Sequence, residues 1–357
     1  MDKNMVYGIS TYKVNELADT LGINKASVSE KLKTSPEFVQ KNEVSNRIIG
    51  IQPEAVQDYF ISRGYGDLYK RTMIVGVQSC SGGIGKSTIS LGLLSAARRI
   101  KARHETVIDM EKISPAVIFC DFDSQYSSTM SLLGKPQDDE KPVLKHYLSN
   151  EAELEDLLVS LGDETYVIPS NLQNLYLDKV LNSVQAIKNG ATKLIHDLEK
   201  KFGRGFVLIL DAPPALSSFN QSLVVAMAQL DKAKYNATLV SPIRALDRYG
   251  IKASEITINE AKEICEAFNL PKPKIFSFLS MYNRVGKTSV EILKQVLENE
   301  TLKETLLDNV IRYSSEFSKS NLSSSSVFNG KQTPANEDIN SLFLTLFGYE
   351  KPNRGNA

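Results

Sequence analysis

The sequence predicts an α/β fold built on a doubly wound, mostly parallel sheet, with a small N-terminal helix-turn-helix domain before it. Apolar strand-like runs alternate with helical patterns over most of the chain, as in βαβ units. A glycine-rich segment at residues 81–88 directly follows the first apolar run. Two short helical patterns flank Gly22 near the N-terminus. We therefore expect a helix-turn-helix domain at residues 1–70 and an α/β domain at residues 71–357.

The composition is that of a globular protein. The chain has 357 residues, 42% of them hydrophobic and 24% charged, and its 42 basic residues balance its 42 acidic residues. Nucleic-acid binding must therefore depend on local basic patches. No membrane span or signal peptide is indicated, and three scattered cysteines favour reduced thiols in the cytoplasm. The cysteines and the three histidines lack metal-ligand spacing.

The N-terminal pattern resembles a bacterial helix-turn-helix. Apolar residues at helical spacing form the inner faces of two helices: Leu17, Ala18, Leu21, Val28 and Leu32. Asn24 is a plausible N-cap of the second helix. Residues 38–51 could form a hairpin wing, and a helix is expected from Pro53 to about Arg63. In such domains the second helix enters the major groove of DNA.

Seven residues of this segment are candidate DNA contacts. We assign groove contacts to Ser27, Ser29 and Lys31 and phosphate contacts to Lys33, Lys41 and Arg47, with Lys25 at the start of the helix. Between residues 25 and 47, five basic residues stand against three acidic ones, a small local excess that permits DNA binding. The alternative is a small helical protein-interaction domain that does not touch DNA.

Residues 64–67 read as the link to the α/β domain. The strongest strand patterns lie at 73–79, 116–120, 206–210 and 237–241, with weaker ones at 165–168 and 275–280. A helix should run from the glycine-rich segment to about Ala102. We expect an irregular, charged excursion at 101–114 and a loop at 323–326.

The glycine-rich segment has the pattern of a phosphate-binding loop. It combines Gly82, Gly83, Ile84 and Gly85 with Lys86, Ser87 and Thr88. The backbone N–H groups of such a loop and of the following helix cradle phosphate. Lys86 would reach the β- and γ-phosphates, and the Ser87 hydroxyl would ligate Mg²⁺. A ligand-free glycine turn is the weaker alternative, since a strand precedes the segment and a helix follows it.

Carboxylates follow two of the apolar runs. Asp121 and Asp123 end the run at 116–120, and Asp211 ends the run at 206–210. If the chain stays extended at its end, Asp121 and Asp123 share a face and could point into one site. Acids at the carboxyl ends of parallel strands lie where open α/β sheets bind ligands, and they can hold Mg²⁺.

Together these motifs resemble the ParA/MinD group of ATPases, in particular ParA-type partition proteins that carry an N-terminal helix-turn-helix. The doubled glycine matches their deviant Walker A loop, residues 121–125 match a D-x-D-P-Q box, and residues 211–214 match a D-x-P-P box. Residues 127–130, residues 168–172, and residues 309–312 with 327–328, are also similar to stretches of that family.

This resemblance implies the activity and its partners. ATP and Mg²⁺ would drive formation of a homodimer that binds DNA nonspecifically in the cytoplasm, on the nucleoid. Asp123 would position the attacking water, and Asp121 and Asp211 would support the metal. A ParB-type centromere-binding protein would stimulate hydrolysis, and the helix-turn-helix would repress the protein's own operon.

Three departures from the family pattern stand out. Ser124 replaces a proline, and serines at 323–326 stand where relatives carry basic residues that bind DNA. Nonspecific DNA binding would then need other cations, for which Arg312, Lys319, Lys272 and Lys274 are candidates. The most serious departure is Ser81, which stands in place of the family's signature lysine. That lysine acts across the dimer interface like an arginine finger, a contribution of about 10³–10⁵ in rate.

Because Ser81 replaces the signature lysine, two functions other than partition are also possible. One is an ATP-sensing transcriptional regulator with weak hydrolysis, and the other is a ParA-like ATPase that positions a protein cargo. The intact Lys86, Asp123 and Asp211 argue against wholly lost chemistry. Either another basic residue replaces the lysine, or hydrolysis is slow, or the protein works mainly as an ATP-dependent binder.

Overall fold

In a computed structural model, the chain is described over residues 11–33, 39–42, 45, 47–63, 68–100, 106–108, 111–113, 116–214, 217–322, 325–328 and 333–348. The elements of the N-terminal region are α1 (Val14–Leu21), α2 (Lys25–Lys33), β1 (Val39–Lys41), β2 (Ile48–Ile51) and α3 (Pro53–Ser62). The predicted link at 64–67 lies outside the described residues.

The N-terminal region has the predicted N-cap, the predicted hairpin and the predicted buried helix faces. Asn24 caps α2, since its Oδ1 accepts the Ala26 N–H at 2.9 Å. Strands β1 and β2 pair antiparallel in the place expected for a wing. The five apolar residues assigned to the inner faces of the first two helices are buried. The region therefore consists of two packed helices, a hairpin and a third helix.

The rest of the chain is built on one large sheet. Its strands and a separate hairpin are β3 (Thr72–Val77), β4 (Thr106–Ile108), β5 (Glu111–Ile113), β6 (Val117–Asp121), β7 (Val159–Gly162), β8 (Thr165–Ile168), β9 (Val207–Asp211), β10 (Tyr235–Arg244), β11 (Ile275–Tyr282) and β12 (Leu306–Arg312). The eight sheet strands lie in the order β12-β11-β10-β3-β9-β6-β8-β7. All neighbours are parallel except β7, which runs antiparallel to β8. The predicted mostly parallel sheet is confirmed.

Helices cover the sheet. They are α4 (Lys86–Arg98), α5 (Ser127–Leu133), α6 (Leu144–Leu148), α7 (Leu154–Leu157), α8 (Leu177–Val180), α9 (Val184–Phe202), α10 (Ser218–Gln229), α11 (Arg248–Ala267), α12 (Lys287–Glu298), α13 (Glu300–Lys303), α14 (Ser315–Leu322) and α15 (Pro334–Leu346). Within the described residues, no helix combines the length and the apolar character needed to cross a bilayer.

Alternate residues of the central strands enter two separate apolar clusters. Val75 and Ile209 pack on the side of α4 and α15, whereas Ile74 and Leu208 pack on the side of α9 and α10. This is the expected result of strands buried on both faces, because successive side chains point to opposite faces. The cluster on the α4 side also contains apolar residues of the N-terminal region, such as Leu17. The N-terminal region therefore packs directly against this side of the α/β fold.

Two predictions of local structure are corrected, and two strands were missed. The segment at 101–114 is not wholly irregular, because its described part forms the antiparallel β4–β5 hairpin. The helix expected to reach Ala102 ends at Arg98. After it, the N–H groups of Arg99 and Ile100 donate to the carbonyl groups three residues earlier, which makes a tighter turn. Strands β7 and β12, at the two edges of the sheet, were not predicted.

Candidate nucleotide site

The glycine-rich loop joins the central strand β3 to the N-terminus of α4. Gly83 and Gly85 adopt φ angles of 68° and 92°, in the left-handed region that favours glycine. Gly85 is the N-cap of α4, so the first N–H groups of a 13-residue helix point into the loop. The predicted strand–loop–helix arrangement is therefore present, and the partial positive charge of the helix N-terminus faces the loop.

Side chains from three elements hold the carbonyl groups of the loop. Lys86 Nζ donates to the Ser81 carbonyl at 2.9 Å, and Ser280 Oγ donates to the Ile84 carbonyl at 3.1 Å. Arg244, the last residue of β10, donates from Nη1 to the Gly83 carbonyl at 3.3 Å. These contacts fix the loop conformation and place two cationic side chains against it.

Lys86 is enclosed although its side chain is charged. It is buried, and this desolvation lowers the pKa of its ammonium, whereas the negative charges of Asp211 and Asp123 act to raise it. A buried cation of this kind is stabilised when an anion approaches it. Lys86 is therefore a buried cation at the predicted position beside the loop.

Asp121 and Asp211 lie opposite each other on neighbouring strands. They pair in register at the ends of β6 and β9, and both are buried. Asp211 Oδ2 accepts the Ser128 hydroxyl at 2.7 Å and its Oδ1 accepts the Ser90 hydroxyl at 3.1 Å. Asp121 Oδ2 accepts both the N–H and the hydroxyl of Thr129, each at 2.8 Å.

Burial raises the pKa of both carboxyl groups. For Asp121, desolvation is the largest cause and the neighbouring Asp211 adds to it, whereas the hydrogen bonds from Thr129 oppose it. For Asp211, desolvation is again largest, and hydrogen bonds from Ser128, Ser87 and Ser90 oppose it. Two buried carboxylates side by side repel each other, so a cation between or beside them would stabilise the ionised pair.

Asp123 lies beyond the end of its strand. The expectation that Asp121 and Asp123 share one face of an extended segment is therefore wrong. Strand β6 ends at Asp121, and Asp123 begins a turn in which its Oδ1 accepts the Gln125 N–H at 2.9 Å. Its own N–H donates to Asp121 Oδ1 at 3.1 Å. Asp123 still acts electrostatically on Lys86 and on Asp121, so it borders the same site.

The oxygen atoms at this edge suit Mg²⁺. Ser87 lies close enough to Asp211 to lower the pKa of its carboxyl group, and Asp121 lies on the adjacent strand. Hydroxyl and carboxylate oxygens are the donors that Mg²⁺ prefers, usually together with water and substrate phosphate. Within the described part of the chain, no cluster of three or more His, Cys, Asp or Glu could hold a metal ion alone. The arrangement therefore fits a metal that binds together with a phosphate-bearing ligand.

A cavity of about 100 Å³ opens beside the loop. Gly85, Thr88 and Ile89 line one side, and residues at the ends of β11 and β12 line the other, including Ile311 and Tyr313. Its walls are mainly apolar with a few polar groups, the usual character of a small-molecule site.

The seven candidate DNA contacts lie on the surface of the N-terminal region. Six are exposed and Ser29 is half-buried. Lys31 has partners within the protein, because its Nζ donates to Ser62 Oγ at 2.7 Å and lies 4.7 Å from the centre of the Tyr59 ring. Exposed cations lie on α2 and on or beside the hairpin: Lys25, Lys33, Lys41 and Arg47.

Arg312 is not a free surface cation. Its guanidinium donates to Asp338 at 2.7–3.1 Å and to Glu337 at 3.0 Å, which fastens the end of β12 to α15. Lys274 donates to Asn236, and Lys319 donates to Glu316. Of the four cations considered for nonspecific DNA binding, Arg312 is therefore a structural residue.

Several residues around the site were not singled out from the sequence. They are Ser90, Arg244 and Ser280. Ser128 and Thr129, which donate to Asp211 and Asp121, belong to the stretch 127–130, which follows the Asp121 box and which the sequence resemblance to the ParA/MinD group already included. Arg244 and Ser280 are more than 150 residues from the loop they contact, and only the sheet order brings them to it.

Comparisons with known proteins agree with this geometry. Residues 72–232 match a protein-family model described as an AAA domain. The mostly parallel sheet with flanking helices is also the fold of solved nucleotide-bound structures. An uncharacterised protein of Methanocaldococcus jannaschii is 23% identical over 236 residues, which is 64% of this chain and 81% of that protein.

Solved structures share this fold at low sequence identity. A complex of a Cyanothece McdA variant with ATP matches with a TM-score of 0.60 at 17% identity, over 80% of this chain and 99% of that one. A putative plasmid partition protein from Borrelia burgdorferi, bound to AMPPNP, matches with a TM-score of 0.55 at 15% identity, over 78% and 98%. Cobyrinic acid a,c-diamide synthase from Mycobacterium smegmatis, with an ATP analogue and magnesium, matches with a TM-score of 0.54 at 17% identity, over 76% and 93%.

Proposed function

We propose that this protein is a partition ATPase of the ParA type. It binds ATP with Mg²⁺, dimerises on ATP, and binds nonspecific DNA in the cytoplasm, on the nucleoid. A ParB-type centromere-binding protein stimulates its hydrolysis. The N-terminal region, which we assign to residues 1–70, represses the protein's own operon.

One observation carries the nucleotide part of this proposal. The glycine-rich loop, Asp121 and Asp211 converge at the carboxyl edge of the sheet, where Ser87 acts on the pKa of Asp211. A glycine loop alone could be a turn, and an aspartate after a strand could be a helix cap. Their convergence beside a buried lysine supports a nucleotide and metal site.

The residues of the proposed nucleotide site have separate roles. Lys86 and the N–H groups at the start of α4 bind the phosphates, and Ser87, Asp121 and Asp211 hold the metal and its waters. The metal neutralises phosphate charge when it is bound. Asp123 borders the site on the turn after β6, where its carboxylate can orient the attacking water. The adjoining 100 Å³ cavity is our candidate for the base.

Exposed apolar residues around the site support dimerisation on this face. The chain segments that follow β10, β11 and β12 carry Tyr249 at the start of α11, Val285 and Tyr313, which are 78%, 91% and 66% exposed. All three strands are parallel, so these segments begin at the same edge of the sheet as the phosphate-binding loop. Exposed apolar side chains grouped around a binding site are typical of an interface, here with a second copy of the chain.

The N-terminal region supplies the proposed specific contact with DNA. Its helix α2 presents Lys25, Ser27, Ser29 and Lys33 on or near the surface. The partition role itself is supported by the likeness to the putative plasmid partition protein of Borrelia burgdorferi, which shares the fold.

A second candidate is an ATP-responsive transcriptional regulator with weak hydrolysis. Ser81 favours it, because a serine cannot provide the charge of a signature lysine in trans. The packing of the N-terminal region against the α4 side of the sheet also favours it, since nucleotide binding could act directly on the DNA-binding part. Cargo positioning is a third candidate, and the identity of the partner would separate it from partition.

Steady-state ATP turnover separates these candidates. We expect slow turnover by the protein alone and strong joint stimulation by DNA and the product of the adjacent gene. Turnover that neither component changes, combined with operator binding that depends on ATP, would favour the regulator. Absence of ATP binding would contradict all three.

A further inference from the structure

Arg244 faces the phosphate-binding loop from the neighbouring strand. It is the last residue of β10, which pairs with β3, the strand that leads into the loop. Its Nη1 donates to the Gly83 carbonyl at 3.3 Å and would lie 3.5 Å from a Cβ placed on Gly83. The guanidinium therefore lies within van der Waals distance of the loop backbone, beside its doubled glycine.

The surroundings of Arg244 fix its orientation. Its Nη2 pairs with Asp247 at 2.5 Å, and Asp247 Oδ1 caps α11 by accepting the Gly250 N–H at 3.2 Å. Its Nε is buried and makes no hydrogen bond within the described residues. The side chain as a whole is only about one-quarter exposed. Arg244 is thus held at the loop by its neighbours, with donor capacity left over.

The site has few positive charges to balance those of a bound phosphate chain. The loop carries a single lysine, Lys86, and Ser81 stands in place of a second one. An ATP phosphate chain carries several negative charges, and the nearby Asp121, Asp123 and Asp211 are also acidic. A guanidinium presents five donors in a fixed fork that matches phosphate geometry. Arg244 is placed to supply the cation that Ser81 cannot.

We propose that Arg244 is a phosphate-binding residue of this site and contacts the terminal phosphate of ATP within the same subunit. This inference rests on the proposed ATPase function and identifies the residue that takes over the charge of the missing signature lysine. When a nucleotide enters, the guanidinium exchanges its bond to the Gly83 carbonyl for a phosphate oxygen, while Asp247 keeps it aligned.

The test compares four variants of the full chain with the wild type. They are Arg244→Ala, Arg244→Lys, the double variant Ser81→Lys with Arg244→Ala, and the control Arg71→Ala. Arg71 is an exposed arginine just before β3, at the opposite edge of the sheet. ATP and ADP affinities are measured by calorimetry with Mg²⁺, turnover is measured separately, and thermal melting checks that each variant is folded.

We expect Arg244→Ala to weaken ATP binding by about tenfold or more and to leave ADP binding within about twofold, since ADP lacks the terminal phosphate. Turnover should fall on the order of 100-fold, as for removal of one preorganised donor. Arg244→Lys should retain part of the ATP preference, and Ser81→Lys should restore much of the loss. Arg71→Ala should match the wild type.

Equal losses of ATP and ADP affinity would overturn the inference, because they would show that Arg244 only supports the loop. Wild-type affinities and turnover in Arg244→Ala would also overturn it and leave the ATPase proposal intact. If the wild-type protein itself bound no ATP, the proposed function would fail and this inference with it.

Discussion

Glu16 and Arg99 form a buried ion pair that ties helix α1 to the C-terminal end of the loop helix α4. The carboxylate and the guanidinium are 2.5 Å apart, and their side chains are 9% and 2% exposed. The guanidinium also lies 3.9 Å from the centre of the Tyr12 ring and 4.1 Å from that of Phe328. Helix α4 thus has the glycine-rich loop at one end and the N-terminal region at the other, about 20 Å away.

Breaking this pair should destabilise the protein. Glu16→Gln leaves the Arg99 charge buried without a carboxylate, and we expect the free energy of unfolding to fall by about 3–5 kcal/mol. Chemical denaturation measures the change. Lys200→Ala is the matched control, because Lys200 pairs with Asp197 on an exposed surface, where a loss below about 1 kcal/mol is expected. Equal effects of the two substitutions would show that the Glu16 pair contributes no special stability.

The N-terminal region should bind DNA through exposed cations. We expect Lys33→Ala and Arg47→Ala each to weaken binding to a fragment from upstream of the gene. Each should also reduce the slope of log affinity against log salt by about one, the value for one phosphate contact. Lys200→Ala should leave both quantities unchanged. A full-length protein that shifts no upstream DNA at any salt concentration would favour the protein-interaction alternative.

Asp123 should be needed for hydrolysis and not for ATP binding. Its Oδ1 accepts a main-chain N–H of its own turn, and Lys86 and the loop do not depend on that bond. We therefore expect Asp123→Ala to bind ATP at nearly wild-type affinity, to lose turnover and to accumulate as an ATP-bound dimer in sedimentation experiments. A normal turnover rate in this variant would remove Asp123 from the proposed mechanism.

ATP binding should depend on Mg²⁺, and this dependence should require Asp211. With EDTA, we expect the wild-type affinity for ATP to fall by at least about tenfold, the size of one or two contacts to charged groups. Asp211→Asn should reduce this dependence to about twofold, because an amide is a poorer ligand for the ion. Asp231→Asn, at the opposite edge of the sheet, should respond to EDTA as the wild type does. A wild-type affinity that is indifferent to EDTA would exclude Mg²⁺ from the site.

The strands that build the site could be predicted because burial on both faces leaves a plain apolar run. The runs ending in Asp121 and Asp211 became β6 and β9, and both acids lie at the predicted edge. The edge strand β12 was missed because it is only partly buried and mixes charged with apolar residues. For the same reason, the half-exposed β7 left no clear run.

Contacts between distant segments could not be predicted from local patterns. Arg244 is one arginine among many in the sequence, and its role follows only from the pairing of β10 with β3. Likewise, Glu16 reads as a polar residue on the first helix, yet the fold buries it against Arg99. The glycine-rich loop was recognisable because its whole pattern lies in consecutive residues, 81–88.

In the function we propose, the loop at 81–88 binds ATP. The direct measurement is the calorimetric affinity for ATP with Mg²⁺ of the wild type, of Lys86→Ala and of the control Lys232→Ala. Lys232 is exposed on the turn before β10. We predict that Lys86→Ala lowers the affinity by at least about tenfold, because it removes a charge-assisted contact, while Lys232→Ala binds as the wild type does. Unaltered affinity in Lys86→Ala would contradict the account.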